Sequence, residues 1–567
     1  MRNKAQPRPE RRNLFCVVSE LRNDDAERKQ VTVLFADVSG SMDLAEQQDP
    51  EEWRKIMQRF FSILSDAVAD FEGTVDKFTG DGIMAVFGAP VAHEDHAQRA
   101  CYAALRMLED VAEYAAELRR EQGLNFSTRI GINSGEVVAG AIGAGGESEY
   151  TAIGHTVGLA QRMEALAEPG KAYLTEHTAD LAAGFLDLTD LGRFEIKGAS
   201  QPVHVFELAG VGRMRSRLDL SRERGFSGFV GRGEEMAALE AALARAQEGE
   251  GTMIGIAAEP GIGKSRLCHE FAQRCRDEGL EVFEAQAQAH GTAVPYMPVL
   301  QMLRAFFAIG EREPEQAARE KIAGRALLLD AGFADDLPLM FDFLGVPDPD
   351  RPVGQMSAEA RQRALADVVC RLANAPSRRK TLVLVVEDLH WIDEGSEAML
   401  GELAGAIEGT NTLAVVNFRP EYRPAWAGAP SYRELPLDPL NRENTRELLR
   451  DLAGGDPSLD GLDEPIHERT QGNPFFIEEI VRELAESGHL EGERGGYRLA
   501  RPIEDAGVPV TVQAVLAARI DRLGPDAKQL LQVASVVGRE VSVPALRMTA
   551  EVETEQLDAV LCELTEA

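Results

Sequence analysis

Two acidic residues, Asp37 and Asp81, stand in the segments VTVLFADVSGSM and DKFTGDGIMAVF. The first ends an apolar strand; the second lies in a tight glycine turn between two strands. If the strand VTVLFA runs beside that hairpin, the two carboxylates meet and can hold a pair of divalent cations over a nucleotide triphosphate. Far downstream comes a segment of another kind, AEPGIGKSRL, in which a glycine loop leads into Lys264 and Ser265. One chain with two unlike phosphate sites must build at least two folded units. Its 567 residues agree, because single cores rarely grow past about 250–300 residues.

Residues 1–28 are polar, charged and non-periodic, which predicts a flexible tail. From Val31 the pattern reads strand (VTVLFA), long helix (EEWRKIMQRFFSILSDAVADF), hairpin (GTVDKF, IMAVFG) and helix. Strands in STRIGINSG and EVVAGAIG follow, then a helix (TVGLAQRMEALA) and the strands KAYLT and VHVFELAG. This alternation predicts an α+β domain over residues 29–210, with helices on one face of the sheet. Residues 211–225 read as a linker. Over 226–435 the runs TLVLVV and TLAVVNF are almost wholly apolar, as in a parallel sheet covered on both faces. Residues 436–505 predict a helical lid and 506–567 a small helical domain.

Bulk properties narrow the partners. A formal net charge of −34 argues against direct DNA binding, which calls for a basic face. The six cysteines form no C-x-x-C pair, so isolated thiols and a reducing, cytoplasmic setting are expected. No apolar run approaches the ~18 residues of a membrane span. The apolar stretch Leu14–Val18 is too short for a signal peptide.

The ordered set FADVSGS, KFTGDG and EYTAIGHTVGLAQRMEALA resembles the class III adenylate/guanylate cyclase catalytic domain, over roughly residues 28–210. The resemblance implies a ferredoxin-like core, a homodimer with active sites between protomers, and two Mg²⁺ or Mn²⁺ ions. Asp37 and Asp81 match the family's metal ligands, with Val38 beside them, and Lys77 matches the position that reads the purine. Thr151 matches the partner of a Lys/Thr subclass similar to soluble, bicarbonate-responsive adenylyl cyclases. An ammonium at Lys77 suits the N1 acceptor of adenine, and a hydroxyl at Thr151 can accept from N6. That pairing implies ATP as substrate. Arg162 matches the transition-state arginine, and Lys197 is expected at the terminal phosphates. Where the family reads I-G-D-T-V-N-L-A-x-R, this chain has His155 for the Asp and Gly158 for the Asn that orients the ribose. Thr156 is expected to replace the lost helix cap.

The loop from Ala258 to Ser265 fits a P-loop after a strand: Gly261 and Gly263 shape it, Lys264 reaches the β- and γ-phosphates, and Ser265 holds one Mg²⁺. Glu387 and Asp388, ending an apolar strand in VLVVEDLHWID, read as the acids at Mg²⁺ and water. With FVGR, NFRPEY and QGNPFF, this part resembles the signalling (STAND) branch of AAA+-like ATPases. The resemblance implies that Arg232 lies near the base, that Arg419 ends the next strand, and that Pro474 senses nucleotide from the lid. The closing helices resemble the start of a winged-helix domain. Two readings stay open: an adenylate cyclase regulated by a fused ATPase, or a weakened cyclase domain serving that ATPase as a nucleotide-binding dimerisation module. A transcription regulator fits less well, since no basic recognition helix is visible.

Overall fold

The computed structural model describes residues 27–501, apart from 47, 94, 143–148, 198–200, 213–216, 224, 289–294, 311–312 and 378–379, with isolated positions beyond 501. The expected tail before residue 27 and nearly all of the expected winged-helix start lie outside the described residues. The chain divides into two compact units, and over the described stretch it passes from the first to the second after Val211.

The first unit runs β1 (Glu27–Val38), α1 (Ser41–Glu46), α2 (Pro50–Asp70), β2 (Thr74–Phe78), β3 (Gly82–Phe87) and α3 (His96–Gln122). It continues with β4 (Thr128–Ile142), β5 (Glu149–Ile153), α4 (His155–Leu166), β6 (Ala172–Thr175), α5 (Glu176–Ala182), β7 (Leu186–Phe194) and β8 (Val203–Val211). The strands form one mixed sheet in the order β2-β3-β1-β4-β6-β8-β7, with β5 on β4. Helix α2 starts where Asp49 accepts from the Glu51 amide and Pro50 opens the first turn. It buries the stripe Ile56, Phe60, Leu64 and Ala67.

Two expectations need correction here. The two strands read in STRIGINSG and EVVAGAIG are one, β4, and the strand carrying Thr151, β5, pairs along it. The helices also lie on both faces of the sheet. Leu34, Ala36, Ile83 and Ile130 pack with α2 and α3, whereas Val33, Phe35, Val137 and Ala160 form a second core that includes α4. Strand β1 is covered on both sides accordingly: its residues from Val31 to Ala36 are all buried, and all but Thr32 are apolar.

The second unit opens with α6 (Arg217–Glu223), α7 (Gly233–Gln247), β9 (Thr252–Ala257), α8 (Lys264–Asp277) and β10 (Glu281–Gln286). Then come α9 (Met297–Phe306), α10 (Glu315–Leu329), α11 (Leu337–Phe343), α12 (Ala358–Ser377), β11 (Leu382–Glu387), α13 (Glu394–Ala406), β12 (Thr412–Phe418) and β13 (Tyr432–Pro436). Its five strands are all parallel, in the order β10-β11-β12-β9-β13. Helices α9–α12 form an insert between β10 and β11 around Phe306, Ile322, Phe333 and Met340, which sequence patterning did not single out. Helices α14 (Arg442–Ala453), α15 (Asp463–Thr470) and α16 (Pro474–Glu486) pack on Leu448, Ile466, Ile477 and Leu484 as the expected lid. Among the described residues no helix is long and apolar enough to cross a membrane.

Candidate active site

Asp37 pairs across the sheet with Gly82, the residue after Asp81. The Val38 amide donates to the Asp81 carbonyl at 3.2 Å, so the two acids stand side by side. Gly82 permits this approach: a Cβ there would lie 2.2 Å from the Ala36 carbonyl oxygen and 2.7 Å from Asp37 Cβ. Ser41 Oγ donates to Asp81 Oδ2. Burial raises the Asp37 carboxyl above its ordinary range; Arg129 opposes this, and the charge of Asp81 adds to it. Two crowded acids, one of them desolvated, make a setting that a cation would relieve. Among the described residues no cluster of three or more His, Cys, Asp or Glu could hold a metal ion. Cations here would therefore need further ligands, from water or phosphate oxygens. The Val38 side chain has no ligating atom, so only its main-chain carbonyl oxygen could serve a cation.

Sequence reasoning missed two neighbours. Arg129 pairs with Asp37 across β1 and β4, and its Nη2 lies 3.2 Å from Asp37 Oδ1 and 3.0 Å from Glu164 Oε1. Burial first, and the charge of Asp37 second, push the Glu164 carboxyl up to about 7. Helix α4 reaches this position because Gly131 is bare: a Cβ there would sit 1.9 Å from the Glu164 amide nitrogen. Glu164 did carry a signal, being an acid one turn beyond buried Ala160 on the inward face of the helix. Arg129 carried none, since its place depends on strand register.

Lys77 and Thr151, 74 residues apart, are brought together with Lys77 Nζ 3.4 Å from Thr151 Oγ1. Thr151 in turn donates to Asp76 Oδ2 at 2.9 Å. Gly158 and Arg162 share the exposed outer face of α4, opposite Thr156, Ala160 and Met163. A Cβ built at Gly158 meets nothing within 4 Å. Lys197 is exposed just past β7. Thr156 does not cap α4. The N-cap is Gly154, without a side-chain cap, and Thr156 Oγ1 donates instead to the Glu136 carbonyl at 2.7 Å. Asn133 Nδ2 donates to the Thr156 carbonyl at 2.9 Å, which fixes the start of the helix to β4 by another route.

In the second unit the glycine loop joins β9 to α8, with Gly261 and Gly263 at φ of 82° and 105°, a region that favours glycine. Lys264 Nζ donates to the carbonyls of Ala258 (2.7 Å) and Glu259 (3.0 Å) and so folds back on its own loop. Glu387 ends β11, hydrogen-bonded to Ser265 and to Asn417 of β12, and burial pushes its carboxyl up to about 8. Asn417 Oδ1 also accepts from the Asp388 amide at 2.8 Å, a role that sequence reasoning missed. The Arg419 guanidinium lies 5.7 Å from the centre of the Trp391 ring. Arg232, expected near a base, is buried beside the glycine loop. Its guanidinium donates to the carbonyls of Ile262 (2.9 Å) and Asp438 (2.8 Å), tying the glycine loop to the start of the lid. Pro474 opens α16, and the polar contacts with the loop are made by its two neighbours: Asn473 Nδ2 donates to the Pro260 carbonyl at 3.0 Å and the Phe475 amide to the Gly261 carbonyl at 3.3 Å.

Comparison with known proteins follows this division. Residues 24–210 match the family described as the adenylate and guanylate cyclase catalytic domain, and residues 228–416 match the AAA ATPase domain. An uncharacterized protein of Rhizobium meliloti is 26% identical over 539 residues, 92% of this chain and 50% of that protein. Adenylate cyclase 1 of the same organism is 34% identical over 193 residues, 33% of this chain and 29% of that protein. The chain thus spans half the length of the first relative and under a third of the second. The solved adenylyl cyclase CyaB from P. aeruginosa aligns at 29% identity with a TM-score of 0.33, over 33% of this chain and 98% of that one.

Proposed function

We propose that this chain, which joins a cyclase catalytic domain to an AAA ATPase domain, converts ATP to 3′,5′-cyclic AMP and pyrophosphate under the control of the fused ATPase. The observation that carries the choice of reaction is the meeting of Asp37 and Asp81 beside the β2–β3 turn. The choice of ATP rests on the Lys77–Thr151 pair.

In this reading the ribose 3′-hydroxyl gives its proton to water and its oxygen attacks the α-phosphorus, while the bond from the α-phosphorus to the α,β-bridging oxygen breaks and pyrophosphate leaves with that oxygen. Divalent cations held by Asp37, Asp81 and the main chain of Val38 would supply Lewis-acid stabilisation of the attacking oxygen and the phosphates. Arg129 screens Asp37 and Glu164 from each other. Lys77 donates to adenine N1 while Thr151 accepts from N6, which orients the base. Arg162 offers a guanidinium to the charge that develops on the α-phosphate, and Lys197 is assigned to the terminal phosphates. The exposed face carrying Gly158 and Arg162 supports a site completed by a second copy of the chain, as a homodimer. In the second unit, Lys264 and Ser265 would bind phosphate and Mg²⁺, with Glu387 and Asp388 at the cation and water. Arg232 and Asn473, with Pro474 beside it, would link loop and lid, and Arg419 would border the site.

The test is cyclic nucleotide formation from ATP and from GTP with Mg²⁺ or Mn²⁺, using Asp37→Ala as control. Product from ATP that vanishes in the control supports the reading; no product above the control removes it. One observation favours the alternative of a nucleotide-binding dimerisation module: Gly158 leaves open space where the family places an orienting Asn. A chain that dimerises and binds ATP in its first unit without turnover would establish that alternative.

A further inference from the structure

Asp76 and Lys77 are consecutive in β2, and in a regular strand their side chains would point to opposite faces. The strand is irregular there. Val75 pairs with Ala85 and Lys77 with Met84, so Asp76 is an extra residue in a bulge. A bulge re-aims its side chains, and here it brings Asp76 to the same place as Lys77. The Asp76 side chain is only 4% exposed, its Oδ2 lies 3.3 Å from Lys77 Nζ, and the same oxygen accepts from Thr151 Oγ1 at 2.9 Å. Lys77 itself is half exposed and open to a ligand.

The proton count follows from this geometry. A threonine hydroxyl has one proton and two lone pairs, and an ionised carboxylate only accepts. Thr151 gives its one proton to Asp76 and receives one from Lys77 at 3.4 Å, which leaves a single lone pair. Lys77 gives one N–H to Thr151 and faces Asp76 as an ion pair, and its other N–H groups can only donate. The cluster therefore presents a donor at Lys77 and an acceptor at Thr151, side by side, and cannot exchange them. Adenine matches this with an acceptor at N1 and a donor at N6. Guanine in the same pose reverses both, with N1–H facing the ammonium and O6 facing the lone pair.

We propose that Asp76 is a specificity-determining residue: it fixes the polarity of Thr151 and Lys77 so that the site accepts adenine nucleotides and rejects guanine nucleotides. The proposal rests on Lys77 and Thr151 reading the base, and it holds whether or not the bound nucleotide is cyclised. Asp76 acts through its two neighbours and is a positioning residue, not a catalytic one.

The experiment uses the full chain and two readouts. The first is kcat/KM for cyclic nucleotide formation from ATP against GTP. The second is photolabelling with 2-azido-ATP in competition with ATP or GTP; peptide mapping separates the first unit from the P-loop. With Asp76→Leu the hydroxyl proton is released and the ATP preference falls about tenfold or more, the scale of one charge-assisted hydrogen bond. Asp76→Asn, whose amide oxygen still accepts that proton, keeps most of the preference. In a Thr151→Val background, Asp76→Leu changes the ratio no further. If Asp76→Leu does not fold, Thr151→Val must lose the preference while Thr151→Ser keeps it. An unchanged ratio in a folded Asp76→Leu chain overturns the proposal, as does an equal change with and without Thr151. So does a Thr151→Val chain that still prefers ATP, or the absence of first-unit labelling. First-unit labelling with the expected ratios but no cyclic product would sink the cyclase reading and leave the role of Asp76 standing.

Discussion

Restoring the family's Asn at Gly158 should turn a weak cyclase into a stronger one. The position is inside α4, one turn before Arg162 and on the same exposed face. A Cβ there meets nothing within 4 Å, so a side chain can leave the backbone at this exposed position without a clash at its root. The backbone is ordinary helix, where Asn is better than Gly by about 0.3 kcal/mol, so Gly158→Asn should not unfold the unit. The gain in chemistry is larger. One preorganised donor that acts only in the transition state is worth about 10²–10³ in rate. The expected result is a rise in kcat of about two orders of magnitude with KM for ATP little changed, since a contact made only in the transition state does not tighten ground-state binding. Gly158→Ala is the control: it stiffens the helix by about 1 kcal/mol but adds no amide. Initial rates of cyclic AMP formation at saturating Mn²⁺ measure both. Equal rates for the Asn and Ala variants would refute the argument, because stiffening alone would then explain any gain. A fall in rate with Asn would mean that the face is closed in the working dimer.

Further expectations follow from particular residues. Asp37→Ala should abolish cyclic nucleotide formation while nucleotide binding at the P-loop, followed by labelling of second-unit peptides, persists. Dilution to monomer should likewise abolish cyclase turnover and spare P-loop binding, measured by rate against chain concentration. Gly131→Ala places a Cβ 1.9 Å from the Glu164 amide nitrogen and 2.3 Å from the Ala160 carbonyl oxygen. Such backbone overlap should cost at least 2 to 3 kcal/mol, within the usual ~1–3 kcal/mol or more for overpacking, read as a lower urea midpoint. Two buried groups give opposite pH slopes. Burial pushes His96 down to about 4 from 6.5, so the unfolded chain binds more protons in that window and stability rises with pH. Glu164 is pushed up to about 7 from 4.5, so the folded chain binds more protons there and stability falls with pH. Relative to wild type, Glu164→Gln should steepen the rise between pH 4 and 7 and His96→Gln should weaken or reverse it, checked by urea midpoints at each pH.

What was legible in the sequence was local. A strand carrying Asp37 near its end, a strand ending in Glu387, a hairpin turn holding Asp81, and a glycine loop opening a helix at Lys264 are short-range patterns, and the structure has each of them. What was not legible depends on how elements meet. Helices on both sheet faces follow from Gly131, which lets α4 touch β4, and a glycine's reason for being bare is invisible until the neighbour is known. Register placed Arg129 opposite Asp37, a bulge brought Asp76 beside Lys77, and a lid contact gave Asn473 rather than Pro474 a bond to the loop. These missed residues share a property. Each acts on another charged or polar group and not on a ligand directly, so its chemistry has no signature of its own. Asp76 makes the point most sharply: Lys77 and Thr151 name the base they could read, but only the carboxylate behind them decides which of the two hydrogen-bonding polarities they present.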